Sequence, residues 1–187
     1  MNQNKNDVAL GRFLSLILRH SPSSAGIVLD DNGWADVKEL LSGVNRTGRK
    51  IDIESLERIV RENSKNRYSF NEDKSKIRAN QGHSVEVDVE LPEMRPPDVL
   101  YHGTATRFLQ SIKESGITKQ NRQHVHLSAD VDTAIAVGKR HGKPMVLYIN
   151  TAEMFADGHK FMLSENGVWL CDDTEWHYVG VLTEHKI

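Results

Sequence analysis

Leu16-Ile17-Leu18-Arg19-His20-Ser21-Pro22 closes an apolar run on two cations, and its reading sets both the fold and the chemistry of this chain. Upstream of it Leu10, Phe13, Leu14, Ile17 and Leu18 recur at i, i+3, i+4, i+7 and i+8, the stripe of an amphipathic helix facing a core. Pro22 predicts the stop, because the residue before a proline is pushed out of the α region. Arg19 and His20 therefore stand where a rigid helix passes into a loop. Two readings are open at this point. Cations at a helix C-terminus can simply compensate the macrodipole, worth about 0.3–1 kcal/mol, or the pair can be held ready for a ligand.

Working outward, Ile27-Val28-Leu29 predicts a short strand, Asp30-Asp31-Asn32-Gly33 a turn, and Trp34 a core residue. Asp36 is the expected N-cap of a helix over Val37–Ser42 that Gly43 would close, and Asp52 precedes the stripe Ile53, Leu56, Ile59 and Val60. Arg67 to Phe70, the turn Asn71-Glu72-Asp73, and Ser75 to Ala79 form a hairpin signature. Three helices followed by a hairpin is the order of a winged helix. Val85, Val87, Val89 and Leu91 alternate with acidic residues, predicting a half-buried strand. Three prolines within Pro92–Pro97 then break all periodicity, as a stiff connector does. The expected organisation is a lobe over 1–91, a linker over 92–97 and a second lobe over 98–187.

In the second lobe Val99-Leu100-Tyr101 reads as a strand running into a His102-Gly103-Thr104 turn, where glycine would let a ligand approach the backbone. Phe108–Ser115 reads as a helix with Gly116 just past its end, His124–Ser128 as a strand, and Val131–Val137 as a helix capped by Asp130. Strands are expected at Met145–Ile149 and near Phe161–Leu163, Val168–Leu170 and His177–Leu182. The fold class that follows is α+β.

Composition narrows the partners. Net charge is -2, with 24 Lys and Arg against 26 Asp and Glu in 187 residues, and the two halves are each close to balance. A broadly basic nucleic-acid surface is excluded, so any anion site must be a local cluster of arginines. The single cysteine, Cys171, excludes an internal disulfide and a cysteine-built zinc cluster. The start Asn2-Gln3-Asn4-Lys5 lacks a hydrophobic signal region, and no apolar run approaches the ~18–20 residues of a membrane span, so a cytoplasmic protein is expected.

Walker, GxGxxG, HExxH and GxSxG motifs are absent. His124 and His126 share a strand face and could ligate a metal, but no third ligand stands at useful spacing, so none is expected. Arginine is more telling. Arg67 and Arg122 each stand at the entrance to a strand, as Arg19 stands at the end of a helix. Three converging guanidinium groups would grip a phosphate through forked, charge-assisted hydrogen bonds; three solvated surface arginines would do nothing. Spacing alone does not decide between these.

Seven motifs in order then carry a resemblance over nearly the whole chain: Leu18-Arg19-His20-x-Pro22, Gly33-Trp34-Ala35, Asn66-Arg67-Tyr68, Ile77-Arg78-Ala79-x-Gln81-Gly82-His83-Ser84, Tyr101-His102-Gly103-Thr104, His124 to Ser128, and Glu165 to Leu170. They resemble the NAD-using tRNA 2′-phosphotransferases. The resemblance implies an N-terminal winged-helix, RNA-binding lobe joined to a C-terminal ADP-ribosyltransferase-like lobe. It implies a catalytic tetrad of Arg19, His20, Arg67 and Arg122. NAD would be held by Tyr101, His102, Gly103, Thr104, Gly116, Ile117, His126, Ser128 and Val168, and RNA by Arg78, Gly82, His83 and Ser84. Val168 stands where many ADP-ribosyltransferases carry a glutamate that holds the 2″-hydroxyl of the NAD ribose. An apolar residue fits a reaction in which that hydroxyl must itself attack. One departure is Tyr68, where the family pattern leads one to expect phenylalanine.

The implied reaction moves an internal RNA 2′-phosphate to NAD, with no metal, in a protein expected to be monomeric. Two other readings share the motifs. One is a transferase that leaves ADP-ribose on a nucleic-acid terminal phosphate; the other is a winged-helix nucleic-acid-binding protein whose second lobe senses NAD.

Overall fold

The computed structural model describes residues 2–182, with side chains from residue 5, so the last five residues of the expected second lobe lie outside the described residues. The chain divides into two compact units between Glu90 and Leu91.

The first unit opens with helix α1 (Asn2–Arg19), whose predicted stripe buries Leu10, Leu14, Ile17 and Leu18. A single 3-10 turn, Pro22–Ala25, follows, closed by Gly26 in the left-handed region. Strand β1 (Trp34–Asp36) leads into α2 (Val37–Arg46), then come α3 (Ile53–Arg61), β2 (Tyr68–Phe70) and β3 (Lys76–Ala79). The sheet order is β1-β3-β2, both pairs antiparallel, with Arg78 opposite Trp34 on one side and Ser69 on the other. Asp36 and Asp52 cap their helices as expected, accepting from Glu39 N at 2.9 Å and Ser55 N at 2.8 Å.

Three local expectations fail here. The strand lies at Trp34–Asp36, not at Ile27–Leu29, which runs unpaired with Ile27 buried and Val28 exposed. Gly43 does not end α2. It sits inside the helix, where an added Cβ would lie 2.3 Å from the Ala25 carbonyl oxygen, so the glycine is there for close packing. Residues 85–91 keep the predicted alternation, with Val89 buried and the acidic residues out, but pair with no strand. They hang instead from single bonds such as Asp88 N to Asp31 O.

In the second unit the proline-rich stretch is pinned to its own body, through Met94 N to Phe161 O at 2.8 Å and the Thr151 hydroxyl to Pro97 O. Strand β4 (Val99–Ala105), α4 (Leu109–Ser115), β5 (Val125–Leu127), α5 (Val131–Gly138) and β6 (Pro144–Asn150) come next. Helix α6 (Thr151–Ala156), β7 (Met162–Leu163), β8 (Trp169–Cys171) and β9 (Val179–Val181) complete it. Two antiparallel three-stranded sheets, β4-β6-β9 and β5-β8-β7, enclose a core that includes Leu100, Leu127, Leu147, Ile149, Met154 and Phe161. The architecture is α+β in both units.

Candidate functional site

In the first unit the end of α1 is held by Leu16, whose carbonyl accepts from both His20 N and Ser21 N at 2.9 Å. That leaves Arg19 half-buried and His20 exposed. The chain returning from β3 crosses the same point: Ser84 N and Val85 N both donate to the Arg19 carbonyl, at 2.9 and 3.3 Å, and the Ser84 hydroxyl meets His20 Nδ1 at 3.0 Å.

Arg67 enters β2 after Asn66, a non-glycine residue at φ +41°. Asn80 fixes that turn, donating from Nδ2 to Asn66 O at 2.7 Å and from its backbone to Arg67 O at 2.9 Å. The Arg67 guanidinium donates to Asn63 Oδ1 at 3.3 Å. Tyr68 then explains its own departure from phenylalanine. Its hydroxyl donates to Gly11 O and pairs with the Ser15 hydroxyl, tying β2 to α1. Burial raises the Tyr68 pKa, while the Ser15 contact and the charges of Arg19 and Arg67 pull it down. Both arginines thus lie within electrostatic reach of one phenol.

Arg78 stacks over Trp34 with Cζ 4.4 Å from the ring and reaches Glu90 at 3.7 Å. His83, expected from sequence to meet RNA, is 2 % exposed, with its ring packed inside the unit. Burial lowers its pKa from 6.5 to about 4, and the nearby charges of Arg19, His20 and Arg78 add to the effect. Between those values the unfolded chain binds a proton that the folded chain refuses, so stability falls as pH drops from about 6.5 to about 4. At roughly 1.4 kcal/mol per pKa unit, the full loss is on the order of 3 kcal/mol. Urea midpoints at pH 7 and 4.5 should separate in the natural chain and draw closer in His83→Gln. An unchanged separation would assign the acid sensitivity to other groups.

The second unit gathers most of its expected residues along β4 and β5. Tyr101 exchanges both backbone bonds with Ser128, at 2.9 and 2.7 Å. His102 Nδ1 lies 3.1 Å from the His126 carbonyl, and His126 Nδ1 lies 3.0 Å from the His124 carbonyl. A carbonyl only accepts, so each ring donates from Nδ1 and, when neutral, keeps Nε2 as an acceptor. His102 is held below its usual pKa by burial, against the pull of the His126 carbonyl, with His141 and Arg122 adding repulsion. Arg122, in an exposed turn, lies within electrostatic reach of His102, and its own pKa is lowered by partial burial of its head and then by Arg140. The β5–β8 register ends on Leu127 opposite Trp169, the chain neighbours of Ser128 and Val168.

Three expected residues also have structural work. Gly116 caps α4 at φ +75° against the Thr174 carbonyl, 2.3 Å from where a Cβ would sit. Ile117 is 3 % exposed and exchanges backbone bonds with Thr174, and Thr104 is buried. His102-Gly103-Thr104 lies within β4 and is not a turn.

Residues 5–173 match the RNA 2′-phosphotransferase, Tpt1/KptA family. The chain belongs to that family. Its relatives include the probable RNA 2′-phosphotransferase of Fusobacterium nucleatum, 61% identical over 89% of this chain and 94% of the relative. Those of Agrobacterium fabrum and Flavobacterium johnsoniae are 51% and 49% identical, over 92% and 91% of this chain and 93% and 94% of the relatives. It is accordingly a member of a transferase family. Among the described residues no helix is long and apolar enough to cross a membrane. Sequence reasoning missed Asn63, Asn80 and Arg140. Asn80 had a signal, being the unassigned position inside Ile77-Arg78-Ala79-x-Gln81, whereas Asn63 and Arg140 lie in polar stretches with none.

Proposed function

We propose that this chain removes a 2′-phosphate from RNA by transferring it to NAD, which is consumed as a substrate. The observation that carries the reading is one segment, Asn80 to Val85, that holds the Arg19 carbonyl and the His20 ring at one end and the Arg67 turn at the other, in a member of a 2′-phosphotransferase family. The first unit's three helices, hairpin and added strand support a winged-helix, RNA-binding lobe. The second unit's two small sheets support an ADP-ribosyltransferase-like lobe that holds NAD, and the family resemblance assigns Arg122 a catalytic role. A monomeric cytoplasmic enzyme needing no metal completes the proposal.

In the first step a 2′-phosphate oxygen bonds to C1″ of the NAD ribose as the bond to nicotinamide breaks. With a second pKa of about 6, the phosphate is already a nucleophile near neutral pH and needs no general base. Nicotinamide departs neutral and needs no acid. The protein's work is orientation. Val146 O accepts from Leu182 N on the β9 side, and Tyr101 bonds Ser128 on the opposite side of β4. Antiparallel alternation therefore turns the amide and carbonyl of Gly103 away from β6, as a donor–acceptor pair suited to a carboxamide.

In the second step the ribose 2″-hydroxyl attacks phosphorus. RNA leaves with a 2′-hydroxyl, and the other product is ADP-ribose 1″,2″-cyclic phosphate. Arg19, Arg67 and Arg122 stabilise the charge gathering on the phosphoryl oxygens, and His20 moves the proton or donates a fourth hydrogen bond. A helix C-terminus repels an anion, so side chains and not the dipole of α1 bind the phosphate.

The test is one incubation with NAD and a short RNA bearing an internal 2′-phosphate, followed by mass spectrometry. Dephosphorylated RNA with ADP-ribose cyclic phosphate is expected. Persistent ADP-ribosylated RNA, or no NAD consumption, would overturn the two-step reading.

A further inference from the structure

The segment leaving β3, Asn80 to Val85, touches the backbone or ring of every first-unit residue assigned to catalysis. Asn80 holds the Asn66–Arg67 turn at one end, through bonds of 2.7 and 2.9 Å. Ser84 and Val85 hold the Arg19 carbonyl at the other, and the Ser84 hydroxyl stands 3.0 Å from His20 Nδ1. Between the two ends His83 is buried to 2 % exposure and anchors the segment to the body of the unit.

We propose that this segment is a positioning strap, and that Ser84 is a positioning residue that orients the His20 ring for phosphate transfer, in place of the direct RNA contact expected from sequence. The proposal rests on the reaction given above. A hydroxyl both donates and accepts, so Ser84 can accept from Nδ1–H or donate to its lone pair. In either state it fixes the ring's rotation. His20 and Ser84 are both exposed, so the contact contributes little to the fold and its loss should act on geometry.

Histidine ring nitrogens of the full chain would be observed by long-range ¹H–¹⁵N correlation, with His20→Ala supplying the assignment. Ser84→Ala should move the His20 ring resonances, and Ser84→Thr should restore them. In single-turnover dephosphorylation of 2′-phosphorylated RNA, Ser84→Ala should lower the rate on the order of tenfold, the size seen when a metal-ligating histidine loses the partner that orients it. NAD KM and Tm should stay unchanged. In a His20→Ala background Ser84→Ala should have no further effect, whereas a direct Ser84–RNA contact would keep its full effect there. Unmoved ring resonances, or equal losses in both backgrounds, would overturn the proposal. A wild-type chain that never dephosphorylates RNA would sink the reaction instead, and the ring resonances would still decide the Ser84–His20 contact.

Discussion

Replacing Arg19, Arg67 or Arg122 with alanine is expected to leave RNA-linked phospho-ADP-ribose accumulating where the natural chain passes it through. The two steps ask opposite things of the arginines. In the first, a phosphate dianion becomes a diester monoanion, so negative charge on its oxygens falls and cationic partners gain nothing as the barrier is climbed. In the second, attack at phosphorus crowds charge back onto those oxygens. Only an interaction stronger in the transition state than before it accelerates a step, so the arginines act chiefly on the second. Losing one preorganised donor at a developing oxyanion costs about 10²–10³ in rate. Arg→Lys keeps the charge without the fork and should recover only part of it. A gel of end-labelled RNA reads the intermediate directly, and its absence from all three alanine variants would show that these residues do not divide the reaction in this way.

The starting cluster was legible because its signals are local. The α1 stripe, the Pro22 stop and the aspartate caps at 36, 52 and 130 each depend on residues within one or two turns, and each is found in the structure. What a strand pairs with is not local. Ile27–Leu29 and Val85–Leu91 have apolar content or alternation but no partner, while Trp34–Asp36, which has little of either, finds the edge of β3. Helix α6 escaped notice because six residues carry too little periodicity, though Asn150 caps it by accepting from Glu153 N. The Tyr68 hydroxyl ties β2 onto α1 across 57 and 53 positions, and no spacing rule reports that.

Gly103→Ala should destabilise the second unit before it disturbs any ligand. From sequence the glycine is expected to make room for a substrate. In the structure the room is already taken: a Cβ at 103 would lie 1.9 Å from the Ala134 carbonyl oxygen and 2.7 Å from its carbon, both backbone atoms of α5. Gly138 approaches from the helix side in the same way, 2.5 Å from Thr104 O on this measure, so a pair of glycines lets α5 lie directly on β4. Flexible side chains can swing aside from an added methyl, but helix backbone cannot without moving the whole of α5 off the sheet. The cost should therefore reach the upper end of overpacking penalties, about 3 kcal/mol. For a unit of this size that is a fall in Tm of roughly 12 °C or more. Calorimetry of the full chain would test it. A Gly103→Ala chain that kept its Tm and lost only NAD affinity would return the glycine to the ligand. The expected result assigns its side-chain face to packing and leaves its backbone, turned away from β6, as the part of Gly103 that can serve the substrate.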